Sequence, residues 1–265
     1  MRCKHCDTRL AAHDLWCVNC GKQTEIVNKD LSAWASLKRT WKHYWPLKSA
    51  NVPAAAMVVL LGVFPLAVLL VLLRSFGMLD LAEVKTVGTL LLRQLMIVAG
   101  VTIFLPVFFT PFNPVCATPG YQFSWKTAVS SLRKYIKYLW LALFCALYYA
   151  VIYLICFGLP SFGSDPILRL VWLVLVNYFL AIVLPVPVLM ERLQINFLQA
   201  CKVSYRNFHV VRWQLYLLVL VLAVLNSLAL VLLIIPLLVT IPFSWYAIRD
   251  YTDRLLEYEL IRPRQ

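Results

Sequence analysis

Charge is scarce in this chain. Asp, Glu, Lys and Arg make up 14% of its 265 residues, whereas 62% are hydrophobic. A soluble globular domain carries about 25% charged and about 45–50% apolar residues. An ordinary cytosolic enzyme, a disordered chain and a disulfide scaffold are therefore excluded by composition. Four histidines and twelve acids leave little material for catalysis. No apolar run begins before about Val52, so a secretory signal peptide is not expected. With a mean hydropathy of +0.77 and a formal charge of +13, the chain reads as an integral membrane protein.

The leading residues, MRCKHCDTRLAAHDLWCVNCGKQ, hold two C-x-x-C pairs, Cys3/Cys6 and Cys17/Cys20, with ten residues between them. Two-residue spacing lets both thiolates of a tight knuckle face one ion. Two knuckles joined by a short hairpin complete a tetrahedral S4 site for Zn2+, with bonds of roughly 2.3 Å. Gly21 supplies a turn that needs positive φ. The other reading, a redox dithiol, normally appears as a single motif within a βαβ unit, which these 24 residues cannot build. His5 and His13 lie close enough in sequence to substitute as ligands, although four thiolates already complete the set. With no open position for water, the zinc is expected to be structural. Leu10, Leu15 and Trp16 are nearly all the apolar material of this ribbon. Its folding must then rest mainly on metal, of order 10–16 kcal/mol apparent. Reduced thiolates place this end in the cytosol. Cys116, Cys145, Cys156 and Cys201 fall in or beside apolar segments and read as packing residues.

Apolar stretches of spanning length, about 20 residues, cover roughly 52–73, 89–110, 138–159 and 167–190. A fifth, 213–248, is 36 residues long. As one helix it would reach roughly 54 Å, well beyond a hydrocarbon core of about 30 Å. Two helices are expected there. Asn226-Ser227 and Ile235-Pro236 are the candidate turns, and 232–236 is favoured because it leaves the first arm long enough. The reading is six helices as three hairpins. Of 25 Lys and Arg, 21 fall in 1–51, 111–137, 191–214 and 249–265. By the positive-inside rule both termini are cytosolic. The expected division is a ribbon at 1–24, a linker with a first interfacial helix at 25–51, the transmembrane domain at 52–256, and a tail at 257–265.

The segments preceding the hairpins resemble one another. SAWASLKRTWKHYW (32–45) and TAVSSLRKYIKYLW (127–140) align without gaps, matching Ala33/Ala128, Ser36/Ser131, Leu37/Leu132, Lys38-Arg39/Arg133-Lys134, Lys42/Lys137 and Trp45/Trp140. In the third segment (194–213), Gln194, Ala200 and Arg206 fall opposite Gln122, Ala128 and Lys134. Leu31, Trp34, Leu37, Trp41 and Tyr44 recur at helical spacing. This is the pattern of helices lying in the interface, near 32–45, 122–137 and 194–212, with cations toward headgroups. The expected membrane-interface residues are Trp34, Lys38, Arg39, Trp41, Lys42, Trp45, Arg133, Lys134, Lys137, Trp140, Arg206, Arg212 and Trp213.

The outgoing helices carry prolines: Pro106 and Pro111, Pro185 and Pro187, Pro236 and Pro242. Proline removes an N–H and frees a carbonyl, and interrupted helices in repeats point to a cavity. Those six, with Asn177 and Asn226, are the candidate cavity residues. Ionisable groups within spans mark function, and almost none are found. Arg93 reads as a snorkelling anchor. Asp80, Glu83 and Asp165 fall in outer loops, while Glu191, Asp250, Asp253, Glu257 and Glu259 are expected to face the cytosol. No catalytic residues are expected.

The repeat, the proline-bearing outgoing helices and the ending A-x-x-x-Y (Ala247 to Tyr251) resemble the six-helix bacterial membrane proteins related to the glycerophosphoryl diester phosphodiesterase membrane domain, over about residues 30–255. The leading portion is similar to the short zinc ribbon found at the start of many bacterial membrane proteins. The resemblance implies an inner-membrane protein without known catalytic residues. The phosphodiesterase chemistry resides in a separate soluble domain that is not part of this sequence. The resulting expectation is a non-enzymatic inner-membrane scaffold, held on anionic lipid. Its ribbon would dock a protein partner or another copy of the chain. The ribbon's weak basic excess speaks against nucleic acid. The alternative is a transporter of lipid or a small amphiphile through a proline-lined cavity.

Overall fold

The computed structural model describes residues 2–3, 5–9, 16–17, 19–22, 24, 30–75, 87–113, 125–157, 166–232 and 235–258. At 47–50, 87–90, 125, 127–128 and 207–212 it describes the backbone alone. His13, Cys116, Gln122, the loop acids Asp80, Glu83 and Asp165, and Glu259 lie outside the described residues, as does the Arg212 side chain.

Beyond the cysteine segment the described residues are helical. Helix α1 (Ala33–Tyr44) starts where the Ser32 hydroxyl accepts the Ala35 N–H at 3.2 Å. It gives way to a 3-10 turn at Trp45–Leu47, because Pro46 cannot donate to the preceding turn. Helices α2 (Lys48–Val58) and α3 (Phe64–Ser75) form one rod, joined by a π turn at Val59–Val63. Pro65, just after it, leaves a carbonyl of the preceding turn without its N–H, and the wider π turn absorbs the mismatch. Helix α4 (Val87–Phe109) passes through Pro106 and ends in a 3-10 turn at Thr110–Phe112 containing Pro111. Helix α5 (Trp125–Ser131) leads through a 3-10 turn at Leu132–Lys134 into α6 (Tyr135–Phe157). Helix α7 (Pro166–Val183) is interrupted at Pro185 and resumes as α8 (Val186–Arg192). Helices α9 (Phe197–Val231) and α10 (Leu237–Glu257) complete the fold.

Helix α9 differs from expectation. The third lead-in segment is not a separate interfacial helix but the first half of a continuous 35-residue helix. No glycine or proline falls between Phe197 and Val231 to break it. At 1.5 Å per residue it is roughly 53 Å long.

Among the described residues, five helical segments are long and apolar enough to cross a membrane: Asn51–Ser75, Leu91–Phe112, Val129–Phe157, Pro166–Arg192 and Trp213–Val231. Only 22–39% of each apolar window is buried inside the protein. A shell of exposed Leu, Val and Ile this extensive would drive aggregation in water and is at home in hydrocarbon. Helix α10 falls short of that composition because Arg249, Asp250, Asp253, Arg254 and Glu257 occupy its second half. About half of its residues are buried instead, packed against α1, α2 and α9. A helix covered by other helices need not be apolar all round.

Packing is tightest where α1, the end of α4, α8 and the second half of α10 converge, hereafter the basic end. Tyr44, Tyr138, Tyr251 and Phe112 are fully buried there. Away from it, α3 touches chiefly α4. The two approach so closely that a Cβ on Gly100 would lie 2.3 Å from Leu69, and in the π turn one on Gly62 would lie 3.0 Å from Phe108 of α4.

Candidate metal centre and the charged girdle

The two cysteine knuckles are built alike. The Cys3 N–H donates to Thr8 O and the Asp7 N–H to Cys3 O, both at 2.9 Å. In the second, the Cys17 N–H donates to Lys22 O at 2.9 Å and the Gly21 N–H to Cys17 O at 2.8 Å. The fourth residue after each leading cysteine is left-handed, Asp7 at φ 58° and Gly21 at φ 66°. This curl turns Cys3 and Cys6, and likewise Cys17 and Cys20, toward a common point. Cys3 Sγ lies 3.6 Å from Cys20 Sγ, and Cys6 Sγ lies 3.4 Å from Cys17 Sγ. All four sulfurs fall within 4.8 Å of one another. Ligands about 2.3 Å from a shared tetrahedral ion sit about 3.8 Å apart, so the four could hold one metal ion. His5 is exposed and faces Lys22 Nζ at 3.5 Å rather than the sulfurs.

Proton chemistry favours a cation here. The Thr8 hydroxyl and backbone pull the Cys6 thiol down to about 6. At Cys20, the backbone N–H of Lys22 lowers the pKa, but desolvation and three neighbouring sulfurs outweigh it and push the thiol up to about 12. Four thiols this close cannot all shed protons unless a positive ion replaces them.

The aromatic residues expected at the membrane interface face outward. Trp34, Trp41, Trp45, Trp140 and Trp213 are all exposed, as are Lys38, Lys42, Arg133 and Arg206. Three basic residues of the same group do something else. Arg39 pairs with Asp30 at 2.6 Å and with Asp250 at 2.9 Å. Lys137 donates to Glu191, and Lys134 lies 3.5 Å from the same carboxylate. Lys134 also donates to Asn113 Oδ1 at 2.6 Å.

These pairs give the internal repeat a structural meaning. Ser36 donates to Asp250 at 2.9 Å, so Ser36 and Arg39 of the first copy together receive one acid. The aligned Lys134 of the second copy receives Glu191, and Ser131 is likewise buried. In both copies the acid lies beyond the proline of an outgoing helix. Arg192, next to Glu191, ties α8 to α10 through Asp253 at 2.9 Å. Asp30 further accepts from Tyr258 at 2.6 Å, so the start of α1 and the end of α10 are clamped together.

Two sequence expectations are corrected. Glu191 does not face solvent: it is 4% exposed and enclosed by Lys134, Lys137 and Tyr138. Arg93 does not snorkel: it is 3% exposed, with its guanidinium over the Tyr153 ring at 5.6 Å. A single acid inside the last turn of an apolar span was the available signal for Glu191. Nothing in the sequence marks Arg93 as inward-facing.

Two apolar cavities open in the bundle. One, about 310 Å³, is lined by α3, α4, α6 and α7. The other, about 480 Å³, lies between those helices and α9 and α10. Of the candidate cavity residues, Asn226 lines the larger. Asn177 donates instead to Tyr216 O at 3.3 Å, linking α7 to α9. Pro106, Pro111, Pro185, Pro187 and Pro242 are buried in packing, and Pro236 precedes the first turn of α10.

Comparison of the chain with protein-family models, with curated proteins and with solved structures gives no match.

Proposed function

We propose that the chain is a six-span protein of the bacterial inner membrane, with both termini in the cytosol. Its N-terminal ribbon holds one structural Zn2+ and docks a protein partner or a second copy at the cytosolic face. The four-sulfur cluster carries this reading. A complete S4 set leaves the metal no position for substrate, and the knuckles offer a rigid surface without a cleft. Helix α10 serves as the sixth span, sheltered by α1, α2 and α9. The bundle then works as a non-enzymatic scaffold, with the outward tryptophans and lysines seating it on anionic lipid.

Cys17→Ser tests the assignment. The full-length variant should lose its zinc by elemental analysis, while membrane insertion and helical circular dichroism stay those of the parent. Loss of insertion would refute the division into ribbon and bundle.

A further inference from the structure

The two cavities adjoin, with Leu66, Cys145 and Leu180 lining both. No charged side chain lines either. In the larger one, Asn226 donates to Leu222 O and to Ser244 Oγ, at 2.8 and 2.7 Å, and Ser244 donates to Thr240 O at 2.7 Å. The wall's amide nitrogen and this hydroxyl are therefore spent on the wall itself, while the amide oxygen, Asn226 Oδ1, is buried without a partner. A buried water needs two to four polar partners, and a lining that is apolar apart from Asn226, Ser227 and Ser244 does not supply them through most of this space. A charged or sugar-like solute would find no counter-group. Yet the larger cavity alone is about three times the ~150 Å³ that suffices to bind benzene, and leaving it empty would forfeit dispersion contacts along six helices.

What lies beside it is hydrocarbon. Leu70 and Leu230 line the cavities and are also 43% and 52% exposed, so the lining reaches the apolar outer surface of the spans. Helix α3, which beyond the π turn packs chiefly on α4, forms one side of that lining. We propose that this space binds one acyl chain of a membrane phospholipid, admitted laterally past α3, with the headgroup left outside. The site is independent of the ribbon and stands or falls separately from it.

Photocrosslinking tests it. The full chain is reconstituted in phosphatidylethanolamine–phosphatidylglycerol vesicles containing a phospholipid with a diazirine on one acyl chain, irradiated, and its adducts mapped by peptide mass spectrometry. Adducts are expected at inward-facing Leu222 and Trp245 as well as at outward-facing Val224 and Leu228. Ala223→Trp, which places a ring in the larger cavity, should abolish the inward adducts and leave the outward ones. Adducts confined to Val224 and Leu228 in the parent chain would overturn the proposal, whatever the variant does. Inward adducts unchanged by a folded Ala223→Trp would overturn it equally.

Discussion

Lys137 and Lys38 carry the same charge and sit in matching copies of one repeat, yet their surroundings differ. Lys38 is exposed, whereas Lys137 reaches a carboxylate that is almost wholly enclosed. Removing one partner of such a pair leaves the other charge buried and uncompensated, which costs about 3–5 kcal/mol in a closed interior. Lys134 remains beside Glu191, so we expect Lys137→Met to destabilise the bundle by about 2–3 kcal/mol. Lys38→Met should stay within about 0.5 kcal/mol. Denaturant unfolding in detergent micelles distinguishes the two; equal effects would mean that Glu191 is solvated. The cysteines follow a different rule. Each must be a thiolate to bind metal, so protons compete with zinc and affinity falls as pH falls. Cys6 is drawn down to about 6 and Cys20 pushed up to about 12, so at least one ligand is held only against a proton, and bound zinc should be released as pH is lowered. A chromogenic chelator reports the release, and Cys17→Ser should show none.

At the scale of elements, α1 is fixed to α10 by polar contacts as much as by apolar packing. Arg39 bridges Asp30 and Asp250, and Ser36 adds a third bond to the same acid. We expect Arg39→Met to raise amide hydrogen exchange across 33–44 without altering α6. The equivalent change at Lys42, which is exposed, should leave exchange as it was. Unchanged exchange in Arg39→Met would show that α1 is held by its buried face alone, Ala33, Ser36, Thr40 and Tyr44. How much was legible in the sequence follows from the same contrast. The apolar spans and the cysteine knuckles are written in contiguous residues, so hydropathy and spacing reveal them. The repeated basic pairs were visible too, but their partners were not. Asp250 lies 211 residues from Arg39, and Glu191 lies 54 from Lys137; only the packed bundle brings them together. Hydropathy and spacing therefore could not show that Arg39, Lys134 and Lys137 also pair with acids of the protein. The division of 194–213 from its span failed for a local reason, because a helix without glycine or proline has no cause to stop.

At the scale of the whole molecule, stiffness and looseness are segregated. Ion pairs and large aromatics crowd the basic end around α1, α8 and the second half of α10, while the apolar cavities lie among the spans. The central claim is that the ribbon, loaded with zinc, recruits another protein chain. Native mass spectrometry of the full chain, extracted gently in its own membrane lipids, tests it most directly. We expect one zinc per chain together with a second polypeptide, both absent when residues 1–24 are deleted. A metal-free chain, or a partner retained by the deletion, would contradict it.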